Sequence, residues 1–294
     1  MTNRPLISIV LPTYNGSRYL DQSVQSCLDQ TYTHWELIIV DDASTDDTPQ
    51  RIARYVARDG RIRAIRHPTN QKLPAALNTG FAHARGAYFT WTSDDNLYRP
   101  EALAKMLHFL ESHPTVDVVY TDYTLIDETG QALRSVAAQE REWLLRGNYV
   151  GPCFLYRRKV QEKVGDYAQD LFLAEDYEFW LRVSMFFEMR PLHEDLYLYR
   201  LHSASLTTTT RKRQLEIVTG KALIRHLPQL AWASAAAKCK ACMILTKKAF
   251  RRRDWGMGGE HLWQAIRCSP AAFIRLALEQ TYQSLKKRDR NNPT

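Results

Sequence analysis

The chain predicts an α/β fold, an open, mostly parallel sheet flanked by helices, with a C-terminal helical appendage. Three observations carry this expectation. Short apolar runs rich in β-branched residues alternate with amphipathic stretches over the first two-thirds of the sequence, as parallel strands covered on both faces require. Each run ends in turn-forming or acidic residues. The charge also changes sign along the chain: residues 211–294 hold 18 Lys+Arg against 5 Asp+Glu, whereas residues 1–210 hold 22 against 27. The net charge of +8 therefore belongs to the C-terminal part, and the expected division is an α/β domain over 1–210 and a basic helical region over 211–294.

The elements follow in order. LISIVLP (6–12) reads as the first strand and SRYLDQSVQSCLDQ as an amphipathic helix capped by Ser17. ELIIVDD (36–42) is the second strand, followed by a helix near 46–58, a strand IRAIRH (62–67), a helix near 73–84 and a fourth strand AYFTWT (87–92). Pro100 opens the helix EALAKMLHFLE. VDVVYTDYTLID (116–127) predicts a strand entering a turn, then a helix near 139–146, a strand near 152–156 and a helix from 158. In LFLAEDYEFWLRVSMF, Leu173, Tyr177, Trp180, Leu181 and Ser184 recur at helical spacing, which puts Glu175 and Asp176 at a helix start. LYLYRLH (196–202) closes the sheet and ends in Arg200 and His202, and SASLTTTTRKRQ is a polar linker. From 213 to 287 come three or four helices, divided near His226-Leu227-Pro228, Gly256 to Gly259 and Ser269-Pro270.

Composition removes several classes. The five cysteines are odd in number and scattered, which argues against a disulfide framework and for a reducing compartment. Cys239 and Cys242 have metal-like spacing, but no second pair completes a site. The apolar run near the N-terminus is seven residues long, too short for an export signal or a membrane span, so the expectation is a cytoplasmic protein.

Polar residues collect at the carboxyl ends of the strands, where open α/β sheets bind ligands: Thr13, Tyr14 and Asn15 after the first, Asp41 and Asp42 after the second, Asp94 and Asp95 after the fourth. Each set is also ordinary turn chemistry, and Asp94-Asp95-Asn96 before Pro100 would serve as a helix cap. Two carboxylates about 4 Å apart repel by roughly 4 kcal/mol at an effective dielectric near 20. Acids at neighbouring strand ends therefore point to a cation or donors between them. Glu175 and Asp176 either complement their helix dipole or set a base on a rigid element.

The order ISIVLPTYNGSRYLDQSVQSCLDQTYTHWELIIVDDASTDDT, then ALNTGFAHARGAYFTWTSDDN, then AEDYEFWLR resembles the family 2 glycosyltransferases of GT-A fold, and within them the bacterial spore-coat polysaccharide enzyme type. The resemblance covers about residues 5–205. It implies an inverting transfer of a sugar from a nucleoside-diphosphate donor, UDP- or dTDP-linked, to a glycan or lipid-linked acceptor in cell-surface polysaccharide biosynthesis. It implies nucleotide contacts by Pro12, Thr13, Tyr14, Asp41, Asp42, Lys72 and Asp94, with Tyr14 stacked on the base and Asp42 accepting from it. Asp95, with Asp94 and His202, would hold Mn²⁺ or Mg²⁺, and Asp176 would be the catalytic base. Arg200, Glu175 and Asn148 are candidate diphosphate or acceptor contacts. One departure stands out: Thr92 occupies a position where many relatives carry a third acid, which implies fewer protein ligands and more water on the metal.

Rival functions have weaker support. A nucleotidyltransferase on a similar sheet normally carries a Gly-rich, Lys/Arg-bearing phosphate loop after the first strand, and LPTYNGSRYL has a single Gly. A dinucleotide-dependent dehydrogenase would need its G-x-G-x-x-G fingerprint. A non-catalytic sugar-nucleotide-binding relative would have no chemical need to keep Asp42, Asp94, Asp95 and Asp176 together. In the tail, KKAFRRRDW and KKRDR beside Trp232, Trp255, Trp263 and Phe273 suit an anionic membrane face, a homo-oligomer contact or a solvated helical face. No nucleic-acid motif accompanies them, so nucleic acid is not expected as a partner.

Overall fold

Ile7–Thr13 (β1) and Trp35–Asp41 (β2) are buried along their whole length, the reason both are apolar without alternation except for the hydrogen-bonded pair Ser8 and Glu36 and their carboxyl ends. In the computed structural model, which describes residues 4–205 and 212–279, the chain divides into two units, 1–211 and 212–294. The first unit continues with α1 (Leu20–Leu28), α2 (Thr48–Arg58), β3 (Ile62–Arg66), α3 (Lys72–Ala82), β4 (Tyr88–Trp91), β5 (Leu97–Tyr98) and α4 (Ala102–Ser112). Then come β6 (Val118–Ile126), β7 (Ala132–Val136), β8 (Phe154–Arg157), α5 (Arg158–Val164), α6 (Glu175–Val183) and β9 (Met189–Arg200).

Among the described residues these strands form one sheet of order β3-β2-β1-β4-β8-β6-β9-β5, with β7 paired to β6. The half β3-β2-β1-β4 is parallel throughout, as expected for strands joined by crossover helices. Beyond β4 the pairing is mixed: β8 is antiparallel to both neighbours, and β6 and β9 are parallel. The acids at the carboxyl ends of β2 and β4 flank β1, since β1 pairs with both.

α3 lies close on β1. An added methyl on Gly80 would sit 2.3 Å from Val10 Cγ1, and Val10 is a buried β-branched residue with little room to yield. Gly80→Ala gains about 1 kcal/mol of helix propensity but overpacks this contact by about 1–3 kcal/mol. We expect a lowered denaturation midpoint; a variant as stable as the parent would show that the close approach is not required.

Some local expectations are corrected. Ser17 does not cap the first helix. α1 begins at Leu20 behind Tyr19 without a side-chain cap, and the Ser17 amide donates instead to Asp46 Oδ2 at 3.3 Å, tying together the loops that follow β1 and β2. The helix expected over 139–146 is a 3-10 turn at Arg141–Leu145. Asp94 and Asp95 do not cap α4, which starts at Ala102 with Glu101 in the cap position.

The second unit contains α7 (Lys212–His226), α8 (Ala235–Arg251) and α9 (Trp255–Cys268). Gly256 to Gly259 lie inside α9 instead of dividing two helices. The break falls just before them, where Arg253 takes a φ of +60° and Asp254 caps α9 by accepting from the Met257 amide at 3.2 Å. Residues 206–211 and 280–294, which include much of the expected linker and the KKRDR run, lie outside the described residues.

Candidate active site

Parallel register builds the first cluster. Val10 pairs with Trp91, so continuing both chains brings Thr13 level with Asp94, and Thr13 Oγ1 donates to Asp94 Oδ2 at 2.5 Å. Gly16 leaves space for that carboxylate, since a Cβ there would stand 1.9 Å from Asp94 Oδ2. Burial, and then the charge of Asp95, push the Asp94 carboxyl up to about 7.

Asp95 points elsewhere. Its Oδ2 lies 2.9 Å from His202 Nε2, while its Oδ1 and the His202 Nδ1 are buried without a hydrogen-bond partner among the described residues. Unsatisfied buried polar atoms are costly, and here an acceptor oxygen and a ring nitrogen are left on joined side chains. Thr92 cannot add a third ligand. It is fully buried, and its hydroxyl is hydrogen-bonded to that of Tyr197 at 2.6 Å. Among the described residues no group of three or more His, Cys, Asp or Glu side chains could enclose a metal.

Arg200 departs from the expected diphosphate contact. It is 2% exposed. Its Nε donates to the Asp95 carbonyl at 3.0 Å, one terminal nitrogen to the carbonyls of Asp127 and Glu128 at 3.2 and 3.1 Å, and the other to Gln22 Oε1 at 2.6 Å. Its guanidinium also lies over the Tyr19 ring, 4.5 Å from the centroid. The Arg200 amide donates to Asn96 Oδ1 at 2.8 Å. These bonds fix the 95–96 turn against β9, α1 and the β6–β7 turn.

The second cluster surrounds the end of β2. Asp42 accepts from the Gln71 and Lys72 amides, both at 2.8 Å, and pairs with His67 Nδ1 at 2.7 Å; His67 Nε2 meets Thr79 Oγ1 at 2.9 Å. Lys72 takes a φ of +74° and its side chain is exposed. Asp41 accepts from the Ser44 amide at 2.9 Å and pairs with Arg66 at 3.3 Å, so it shapes the loop. Pro12 is buried, whereas Tyr14 is 50% exposed, a flat ring open to a partner.

The third cluster starts α6. Asp176 Oδ1 accepts from the Tyr177 amide at 2.6 Å and Oδ2 from Asn148 Nδ2 at 2.7 Å. Asn148 is held in turn through Oδ1 by the Val150 amide at 3.2 Å. Glu175 Oε2 accepts from the Leu173 amide at 2.6 Å. Burial raises the Asp176 carboxyl above its usual range against these bonds, and burial together with Asp176 pushes Glu175 up to about 8.

Glu175 therefore has a stability signature. Between its ordinary 4.5 and about 8, the folded protein keeps a proton that the unfolded chain gives up, so stability falls as pH rises through that window, by up to about 1.4 kcal/mol per unit. Glu175→Gln removes the ionisation. Its melting temperature should exceed the parent's above pH 8 and converge with it at acidic pH; parallel curves would refute the assignment.

Sequence reasoning misses His67, Asn96 and Gln22 as site-supporting residues. His67 directly follows β3 as Asp42 directly follows β2, so the rule used for strand ends could have found it. Gln22 carries no such signal, because its partner Arg200 is distant in sequence.

A sheet with a parallel half bearing acids at its carboxyl ends, continued by a mixed half with an acid on a helix N-terminus, is a GT-A type glycosyltransferase architecture. The family model for Glycosyl transferase family 2 matches residues 8–167, and the chain belongs to that family. An uncharacterized glycosyltransferase of Rickettsia typhi is 34% identical over 230 residues, covering 73% of this chain and 70% of the relative. Other relatives are longer: the match to a Sinorhizobium fredii protein, 32% identical over 237 residues, covers 77% of this chain and 26% of that one. Among solved structures, S. aureus TarS 1–349 in complex with UDP-GlcNAc aligns with a TM-score of 0.59 at 15% identity, over 93% of this chain and 92% of that one. The mannosyltransferase PcManGT from Pyrobaculum calidifontis, in complex with GDP-Man and Mn²⁺, aligns with a TM-score of 0.60 at 19% identity, over 97% and 81%. These likenesses establish the fold and, with the family match, a glycosyltransferase.

Proposed function

We propose that the protein inverts configuration as it moves a sugar from a UDP- or dTDP-linked donor to a glycan or lipid-linked acceptor in cell-surface polysaccharide biosynthesis. The observation that supports this most is the pinned Asp176 carboxylate, held by one amide and one Asn148 bond on a helix, with a raised proton affinity suited to a general base. Asp176 takes the proton of the acceptor hydroxyl as that oxygen bonds to the anomeric carbon, from the face opposite the departing nucleoside diphosphate; the carbon–diphosphate oxygen bond breaks and its electron pair leaves with the diphosphate. Asn148 orients the base, and Glu175, which keeps its proton up to about pH 8, is a neutral neighbour that tunes the base rather than a reacting group.

Tyr14 stacks on the base and Asp42 accepts from it, while the Asp42 bonds to the 71–72 amides set the floor of that pocket. Pro12, Thr13 and Asp41 shape the pocket, and Lys72 reaches the nucleotide from its rim. The unpartnered Asp95 Oδ1, on a carboxylate that His202 Nε2 holds in place through Oδ2 at 2.9 Å, would hold a hard divalent cation, Mn²⁺ or Mg²⁺. When bound, the ion stabilises the leaving diphosphate. The ligands of the two structural neighbours, UDP-GlcNAc and GDP-Man with Mn²⁺, support a sugar-nucleotide donor and a metal.

Thermal-shift titration with UDP, dTDP and GDP, with and without Mn²⁺, tests the reading. UDP or dTDP with Mn²⁺ should give the largest upward shift. No shift with any nucleotide would overturn it.

A further inference from the structure

We infer that the exposed face of α9 and the helical residues 270–279 after it form a docking surface for an anionic lipid bilayer. This goes beyond the transfer chemistry and does not depend on it. Four of the nine exposed large apolar side chains among the described residues fall here: Trp255 at 69%, Trp263 at 60%, Ile274 at 59% and Leu278 at 65%. Their spacing is that of helix faces. On α9, Trp255, Gly259, Trp263 and Arg267 recur every four residues and are all exposed, whereas Gly258, His261 and Ala265 face inward. In the next segment Ile274 and Leu278 share an exposed face with Arg275 beside them, and Ala272 is buried.

Charge selects the occupant. Between residues 240 and 279 there are eight Lys+Arg and three acids. Lys247, Arg251 and Arg253 are exposed just ahead of Trp255. Arg252 is instead turned to Glu216, at 2.9 Å. Of the acids, Asp254 is used in capping α9, Glu279 lies 3.9 Å from Arg275, and Glu260 is exposed. Exposed indole rings and aliphatic side chains bordered by cations match the boundary between headgroups and acyl chains. A nucleic acid would use the cations and stack on the rings but leave Ile274 and Leu278 in water. No described helix is long and apolar enough to cross a membrane, so the segment lies on the surface.

Sedimentation of the full-length protein with vesicles provides the test. Vesicles of phosphatidylcholine with phosphatidylglycerol should retain it at low salt, and vesicles of phosphatidylcholine alone should not. Retention should weaken with added salt and by about fivefold for each cation lost, which Arg251→Gln and Arg253→Gln measure. Trp255→Ser with Trp263→Ser should lower retention on the order of tenfold; because Trp255 also rests on the Phe250 ring, centroids 5.3 Å apart, Trp263→Ser alone is the variant expected to weaken retention at the parent's melting temperature. Failure to bind the anionic vesicles, equal binding to neutral ones, or undiminished binding by the double Trp variant would overturn the inference. So would a dimer in light scattering that the Trp substitutions dissolve while vesicles are ignored, or duplex DNA being retained in place of vesicles.

Discussion

Asp176→Asn should reduce sugar transfer by about 10²–10⁴-fold while leaving nucleotide affinity unchanged. The amide oxygen of the substituted side chain can still accept from the Tyr177 amide, as Asp176 Oδ1 does at 2.6 Å, so the start of α6 keeps its bonding. The contact with Asn148 survives if the Asn148 amide turns, which gives up only its 3.2 Å bond from the Val150 amide, but no basic oxygen is left to take a proton. Separate measurements of turnover and of nucleotide binding divide the two roles; full turnover in the variant would remove Asp176 as the base. The wild-type profile should agree. Burial places the Asp176 carboxyl above its ordinary 3.8, so activity should rise with pH through a limb lying above the usual aspartate range.

Arg200→Met should lower stability by about 2–3 kcal/mol. The substitution keeps an apolar stem of similar length but strands the carbonyls of Asp95 and Glu128, now held by the guanidinium at 3.0 and 3.1 Å, removes one of two donors from the Asp127 carbonyl, which keeps the Gly130 amide at 3.1 Å, and frees Gln22 Oε1. The half-buried carbonyls of Asp95 and Glu128, left unpaired, cost about 1–3 kcal/mol each, whereas Gln22 is exposed and its oxygen turns to water. Removing a desolvated cation that has no carboxylate among these partners works in the opposite direction, but it does not restore four lost bonds. Arg200→Lys should rescue little, because a compact ammonium cannot span acceptors that a planar fork reaches on several sides. Denaturant midpoints measure the cost. The variants should also need more Mn²⁺ for full turnover, since the turn carrying Asp95 is no longer fixed; an unchanged midpoint and metal requirement would contradict the role.

The parts of this fold that are legible in the sequence are those where burial dictates residue type. β1, β2 and β4 are largely apolar because each has a neighbour on both sides in the sheet and is covered on its faces, and their polar termini follow where that cover ends. β7 escapes such a reading because ALRSV is almost wholly exposed and therefore carries little apolar pattern. β9 shows only its last residues because Met189 to Asp195 include a proline and several charged or polar residues, which a strand between β6 and the short β5 tolerates. The Gly run in α9 reads as a breaker, yet the capping by Asp254 and the turn at Arg253 place the break earlier. The acids of the site can be read from position alone. Their partners cannot: the Arg200–Asp95 and Asn148–Asp176 bonds link residues separated by 105 and 28 positions, a register that only the folded sheet supplies.

Anomalous diffraction from crystals grown with UDP and Mn²⁺ tests the central assignment most directly. We expect one manganese site touching the free oxygen of Asp95 and the diphosphate, with the base over Tyr14 and Asp176 open to the acceptor side. A nucleotide bound away from the ends of β1, β2 and β4, or manganese with no contact to Asp95, would contradict it.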